Sequence, residues 1–159
     1  MMLKQRKGNL IDMAEAGDFN VIVQGCNCHC AMGSGIAKEI RARYPEAYYA
    51  DTKTVPGDYN KLGTFSIMLG KQFNIVNAYT QYNTAKYVGD DVFEYGAFEL
   101  ILKKLAHQRY TGGARFGFPK IGQGLAGGNP EIIMEMLQDF ATKVSVHGST
   151  VTVVEFKLK

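Results

Sequence analysis

The sequence has no tryptophan and only four prolines, and its three cysteines all fall within residues 26–30. Cysteines this close together cannot form the separated disulfides that support small secreted domains. No run of about 18 apolar residues is present to span a membrane, and the first ten residues lack the apolar centre of a secretory signal. A net charge of +3 is too small to indicate a nucleic-acid or membrane surface. These absences predict a cytoplasmic protein without a membrane or nucleic-acid partner.

Glycine, by contrast, is unusually frequent. There are 18 glycines, and seven of them lie between positions 112 and 128. The chain of 159 residues is 46% hydrophobic, which suits one domain with its own core. Because no repeat, linker or low-complexity segment divides it, we expect a single domain over residues 1–159, acting as a monomer and without a cofactor.

Apolar patterning alternates between strands and helices along the chain. Strands are predicted at the N-terminus and over residues 19–25, 64–69, 73–79, 114–121 and 150–156, and helices over residues 36–44, 45–54, 92–107 and 131–144. The three residues between 69 and 73 favour a hairpin. Alternating strands and helices predict a layered α/β fold, and the hairpin makes its sheet mixed.

Two glycine-rich loops each join a predicted strand to a predicted helix. They are GCNCHCAMGSGIAKEI, from Gly25, and PKIGQGLAGGNPEII, from Pro119. Glycine lets the backbone approach a ligand closely, and a helix N-terminus offers unpaired N–H groups to an anion. A pair of such loops indicates a ligand with two phosphates, although glycines also simply make tight turns. The segment 122–127 matches G-x-G-x-x-G, so a nicotinamide-dependent Rossmann enzyme is a competing interpretation.

Three motifs in order resemble the macro domain family. Residues 23–27 (VQGCN) followed by 33–37 (GSGIA) resemble its N-A-A-N and G-G-G-[VI]-A motifs, with Asn27 at the second asparagine. Residues 118–128 resemble its phosphate loop, and residues 7–10 (KGNL) its early G-D-[IL] motif, with Asn9 in place of aspartate. The pattern over the whole chain is most similar to the branch of ADP-ribose-1''-phosphate phosphatases. The resemblance implies a three-layer α/β/α fold with a mixed, mostly parallel six-stranded sheet.

The resemblance also implies ADP-ribose, or its 1''-phosphate, as the small-molecule ligand. By position, the side-chain oxygen of Asn9 would contact the adenine N6, Phe156 would pack on the adenine, and Asn27 would bind the distal ribose. The remaining positions that match ligand-binding residues of the family are Leu10, Gly25, Gly33, Ser34, Gly35, Ile36, Ile121, Gly122, Gln123, Gly124 and Leu125.

Hydrolysis of a terminal phosphate needs an oriented water and stabilisation of the phosphoryl charge. The candidates for this chemistry are Asn27, His29 and Gln24. Histidine is frequent in the phosphatase branch where Gln24 stands, and glutamine cannot exchange protons at neutral pH. The leading hypothesis is therefore a phosphatase, and the alternatives are a non-catalytic ADP-ribose-binding module or an ADP-ribosyl hydrolase.

The cysteine-rich loop also raises the question of a metal. Three cysteines at every second residue, with His29 among them, cannot easily close a tetrahedron, so we expect no metal site. A polar and aromatic stretch at the end of the hairpin comprises Tyr79, Tyr82, Asn83 and Tyr87. It either lines the adenosine or distal-ribose side of the ligand site or forms a surface loop.

Overall fold

The computed structural model describes residues 2–84, 91–107 and 112–157. Within these residues the strands are β1 (Leu3–Gly8), β2 (Val21–Cys26), β3 (Phe65–Met68), β4 (Asn74–Tyr79), β5 (Arg115–Pro119) and β6 (Thr150–Phe156). The helices are α1 (Leu10–Glu15), α2 (Gly35–Arg43), α3 (Pro45–Thr52), α4 (Tyr95–His107) and α5 (Pro130–Ser145), with a 3₁₀ turn at Tyr59–Lys61. None of the helices in these ranges has the length and apolar content that crossing a membrane requires.

The described strands form one six-stranded mixed sheet in the order β1-β6-β5-β2-β4-β3. The first five strands in that order run parallel, and β3 pairs antiparallel with β4 to form the expected hairpin. The prediction of a mixed, mostly parallel six-stranded sheet is thus confirmed. The Rossmann interpretation is wrong, because a doubly wound dinucleotide-binding sheet has a different strand order and no such antiparallel hairpin.

The core has one apolar layer on each face of the sheet, because successive strand residues point to opposite faces. Val21 and Val23 of β2 pack with the buried faces of α4 and α5, whereas Ile22 packs with residues of α1, α2 and α3. The long helices α4 and α5 turn continuous apolar stripes to the sheet, from Phe98 to Leu105 and from Ile133 to Val144. This gives the three-layer α/β/α arrangement.

One helix was not expected from the sequence. Residues 10–15 form α1, and the side chain of Asn9 caps it by accepting hydrogen bonds from the N–H groups of Ile11 and Asp12, each at 3.0 Å. Six residues are too few to show a helical repeat in the sequence. The helix nevertheless positions the site, because it begins directly after the carboxyl end of β1.

The carboxyl ends of the five parallel strands share one edge of the sheet. Ligands bind at this edge in open α/β sheets, where the loops and helix N-termini meet. Both glycine-rich loops lie here, one after Cys26 and the other after Pro119.

Candidate functional site

Two adjoining cavities lie along this edge and share Gly35 and Ile36. The first, which we call the loop cavity, has a volume of about 360 Å³. Its lining comprises Gly25, Cys26, Asn27, Ala31, Gly33, Ser34, Gly35, Ile36, Ala37, Gln81, Thr84, Gly122, Gly124, Leu125 and Ala126. The second, the Phe156 cavity, has a volume of about 530 Å³. It is lined by Gly8, Asn9, Leu10, Gly35, Ile36, Glu39, Pro119, Lys120, Val154, Glu155 and Phe156. Together they form one elongated cleft.

The N-terminus of α2 opens into the loop cavity. Ser34 occupies the N-cap position with φ −147° and ψ 160°, yet its side chain makes no capping hydrogen bond. The first N–H groups of a helix have no partner within the helix, and those of Gly35, Ile36 and Ala37 belong to residues that line this cavity. The first turn carries no acidic residue. This helix end therefore presents unpaired donors and its positive dipole end to an anion.

The second glycine-rich loop supplies further donors from the opposite side. Its shape is set by Gly122, at φ +71°, and Gly127, at φ +76°. A hydrogen bond of 2.7 Å from the Gly128 N–H to the Gly122 carbonyl closes it. Within the described chain, the N–H groups of Gly124 and Leu125 have no acceptor, and both residues line the cavity. The loop therefore contributes its own amides.

The N-terminus of α5, the helix that follows this second loop, does not offer unpaired donors to the loop cavity. The side chain of Asn129 caps α5 by accepting a hydrogen bond of 2.9 Å from the Glu131 N–H. The sequence predicts that the two loops work alike, each through a helix N-terminus. Only α2 is left without a side-chain cap at the cavity.

Asn27 lies at the floor of the loop cavity and holds the first loop in shape. Its Oδ1 accepts from the His29 N–H at 2.9 Å, and its Nδ2 donates to the Ala31 carbonyl at 2.8 Å. The side chain is nearly buried. The contact of Asn27 with a distal ribose stays a prediction.

Two of the three candidates for chemistry do not line either cavity. His29 is exposed, packs edge to face against Tyr82 and bonds Asn83 Oδ1 through Nε2 at 3.1 Å. Gln24 is fully buried on the α3 side of β2, where its Nε2 donates to Asn77 Oδ1 at 2.9 Å. The expectation that these side chains act in the cleft needs correction, because strand alternation turns Gln24 inward and the Asn27 turn directs His29 outward.

Two of the expected ligand-binding positions also lie outside the cleft. Ile121 is buried beneath Gly25, where its side chain supports the strand end. The N–H of Gln123 bonds the Lys120 carbonyl at 3.2 Å, and its side chain turns towards Met134. The other ligand-binding positions expected from the sequence line one of the two cavities.

The Phe156 cavity combines an open aromatic ring with several polar groups. Phe156 is 63% exposed at the end of β6, and Lys120 and Glu155 pair across the rim at 3.4 Å. Asn9 and Leu10 also line this cavity. However, the Asn9 oxygen already accepts the two α1 N–H groups, so its expected bond to an adenine amino group is not available.

A buried polar cluster supports the first loop from below. Lys61, which is 6% exposed, donates to the Cys28 carbonyl at 3.1 Å, and Tyr79 donates to Asp51 Oδ1 at 2.7 Å. Burial raises the pKa of Asp51 above its ordinary value, although the Tyr79 hydroxyl and the nearby Lys61 oppose that rise. The cluster fixes residues 28–30 from the side opposite the cavity.

Several residues of the cleft were not expected from the sequence. In the loop cavity these are Cys26, Ala31, Ala37, Gln81, Thr84 and Ala126, and in the Phe156 cavity they include Glu39, Lys120 and Glu155. The small residues carry no chemical signal, and only the α2 register could have placed Glu39 one turn from Gly35. Cys26 and Cys28 are buried, and burial raises the pKa of both thiols. Among the described residues, no group of His, Cys, Asp or Glu side chains is arranged to hold a metal ion. Tyr87 lies outside them.

Comparison with solved structures defines the class of fold. The chain superposes with a TM-score of 0.79 on a protein of unknown function from Bacteroides thetaiotaomicron, 22% identical, over 98% of both chains. The macrodomain of Mycobacterium tuberculosis DarG is 21% identical, with a TM-score of 0.74 over 99% of both chains. A Trypanosoma brucei macrodomain in complex with ADP-ribose is 13% identical, with a TM-score of 0.67 over 98% of this chain and 63% of that one. The chain therefore has the macro domain fold.

A curated relative then gives the family. An uncharacterized 17.5 kDa protein from the tk–vs intergenic region of Enterobacteria phage T4 is 30% identical over 150 residues, which cover 92% of this chain and 94% of the phage protein. The chain belongs to the same family as this phage protein. No protein-family model matches the sequence.

Proposed function

We propose that the protein binds ADP-ribose along the cleft, with the diphosphate in the loop cavity and the adenine in the Phe156 cavity. The observation that carries this proposal is the pair of unpartnered amide sets, from α2 and from residues 124–125, that face one cavity. Backbone N–H groups at a helix end and in a glycine loop suit phosphate oxygens. The Trypanosoma brucei macrodomain, which shares the fold, is known in complex with ADP-ribose, and this supports the same ligand here.

The shape of the cleft supports this orientation. The loop cavity is lined by glycines and amides, whereas the other cavity has an exposed aromatic ring on which a base can stack. Because the cavities share Gly35 and Ile36, a diphosphate at α2 leaves its two ends directed to Phe156 and to Asn27.

Calorimetric titration tests the proposal. The protein should bind ADP-ribose, bind ADP less tightly, and bind AMP much more weakly, since AMP fills only part of the amide-lined cavity. Equal affinity for AMP and ADP-ribose, or no binding of ADP-ribose, would contradict the assignment.

A matched pair of variants tests whether the N-terminus of α2 takes part in that binding. Ser34→Asp places a carboxylate at the uncapped helix end, where it should preserve folding, since aspartate is a good N-cap. The same carboxylate should weaken ADP-ribose binding about tenfold or more by repelling the phosphates. Asn129→Asp makes the same charge change at the cap of α5, outside both cavities, and should leave affinity nearly unchanged. Equal losses in both variants would refute a diphosphate site at α2.

Hydrolysis of ADP-ribose 1''-phosphate is the second candidate function. Its support is the placement of Asn27, nearly buried at the distal end of the amide-lined cavity, where a terminal phosphate would lie. Phosphate release from that substrate, measured for the wild type and for Asn27→Ala, tests it. If no phosphate is released, or if the wild type and Asn27→Ala release it equally, the phosphatase proposal is wrong and ADP-ribose binding stands as the proposed function. Release of ADP-ribose from an ADP-ribosylated protein would instead indicate an ADP-ribosyl hydrolase.

A further inference from the structure

The hydrogen bonds of Asn9 fix which atoms of its amide face the Phe156 cavity. Its Oδ1 accepts from the N–H groups of Ile11 and Asp12, each at 3.0 Å, which uses both lone pairs of a carbonyl oxygen. The amide nitrogen must then be the other terminal atom. It donates one hydrogen to Glu39 Oε1 at 3.2 Å and has a second hydrogen to offer. Asn9 is thus a donor towards the cavity.

Glu39 supplies the complementary acceptor. Its Oε1 receives the bond from Asn9 and a 3.0 Å ion pair from Arg43 NH1. Within the described residues, its Oε2 has no hydrogen-bond partner. Arg43 also pairs with Asp12 at 2.9 Å and with Glu15, so the guanidinium is held against the Glu39 carboxylate from a fixed position. The carboxylate is therefore held in one orientation at the lining of the cavity.

The other charged side chains of this cavity are already paired with one another. Lys120 and Glu155 lie 3.4 Å apart at the rim. Among the described residues that line the cavity, Asn9 and Glu39 are thus the adjacent donor and acceptor beside the open ring of Phe156.

We propose that Asn9 and Glu39 read the edge of the base that stacks on Phe156, and that their donor–acceptor order selects adenine over 6-oxopurines. This inference rests on the proposed function. Adenine presents an acceptor at N1 and a donor at its 6-amino group, which match the Asn9 amide and the Glu39 carboxylate. Hypoxanthine presents the reversed pattern, a donor at N1–H and an acceptor at its 6-oxo group. Its N1–H would face the donor of Asn9, and its 6-oxo group would face the acceptor of Glu39. A site that hydrogen-bonds one pattern disfavours the reversed one, because the polar groups that the bound base covers are left unpaired.

Titration with ADP-ribose and with its inosine analogue, which carries hypoxanthine in place of adenine, tests the inference. The wild type should bind ADP-ribose about tenfold or more tightly than the analogue, as expected for one matched pair of base contacts. Glu39→Gln should reduce this ratio to about twofold, since a glutamine amide can turn to donate to the 6-oxo group. Glu99→Gln, on the exposed face of α4, is the control and should keep the wild-type ratio.

The outcomes separate the two proposals. Tight binding of both ligands without discrimination, or a wild-type ratio in Glu39→Gln, overturns the base-reading role but leaves ADP-ribose binding intact. Binding of neither ligand overturns the proposed function and the inference with it. If Glu39→Gln does not fold, the wild-type ratio together with Glu39→Ala decides, because loss of the carboxylate should weaken ADP-ribose binding more than binding of the analogue.

Discussion

Replacement of Gly122 by alanine tests whether the second loop depends on the conformations that glycine permits. The backbone of Gly122 has φ +71°, in the left-handed region. A Cβ there would lie 2.5 Å from Cε1 of Phe93 and closer still to Cδ1. The Phe93 ring is 4% exposed and is held edge to face against Tyr95 and Phe98, at 5.3 and 5.6 Å between ring centroids, so it has little room to move.

Two costs follow from this geometry. The left-handed conformation costs a residue with a Cβ about 1–2 kcal/mol, and a methyl group forced into a filled core costs about 1–3 kcal/mol. We expect Gly122→Ala to lower the free energy of unfolding by about 2–5 kcal/mol, a large fraction of the 5–15 kcal/mol typical of a domain.

Urea unfolding, followed by circular dichroism and extrapolated to zero denaturant, measures this loss. Gly124→Ala in the same loop is the matched control, because no atom lies within 4 Å of its added Cβ. It should change stability by less than about 1 kcal/mol yet weaken ADP-ribose binding, since Gly124 lines the loop cavity. Near-wild-type stability of Gly122→Ala would refute the account of how this loop is built.

Three further predictions concern other parts of the site. His29→Ala should leave ADP-ribose affinity within about twofold, because the imidazole lies outside both cavities, and a larger loss in calorimetry would place it at the ligand. Phe156→Ala should weaken ADP-ribose binding by about 1–3 kcal/mol through lost base stacking, whereas Tyr49→Ala, an exposed ring on α3, should not. Burial raises the pKa of Asp51, so its contribution to stability is present at low pH and is lost as pH rises through the folded-state pKa. The stability of Asp51→Asn relative to the wild type should therefore increase between pH 3.5 and 7 in urea titrations, and a constant difference would argue against an unfavourable buried charge.

Much of the fold follows from local patterns in the sequence. The β-branched runs that became β2 and β6, and the apolar stripes of α4 and α5, are long enough for their periodicity to identify them. The helix α1 was not predicted, because it has only six residues and depends on the Asn9 cap. The positions of the glycine-rich loops were predictable because strand–loop–helix order alone places them at the carboxyl edge of a parallel sheet.

The roles of individual side chains were harder to predict. Gln24 occupies a motif position, but strand alternation directs it into the core, where Asn77 binds it. Asn9 was expected to offer its oxygen, yet the cap of α1 uses that oxygen and leaves the nitrogen facing the cavity. In both cases the deciding partner lies elsewhere in the chain or in an element that the pattern does not reveal.

The backbone groups that line the loop cavity determine how ligand binding there should depend on pH and salt. Its described lining contains amides, hydroxyls, glycines and apolar groups, and the thiol of Cys26, whose pKa burial raises well above its ordinary value. No side chain in that lining changes charge between about pH 5 and 8. The affinity for ADP-ribose, whose two phosphates carry no terminal group that titrates at about pH 6, should be constant across this interval. Its response to salt should be that of dipoles rather than of fixed cations.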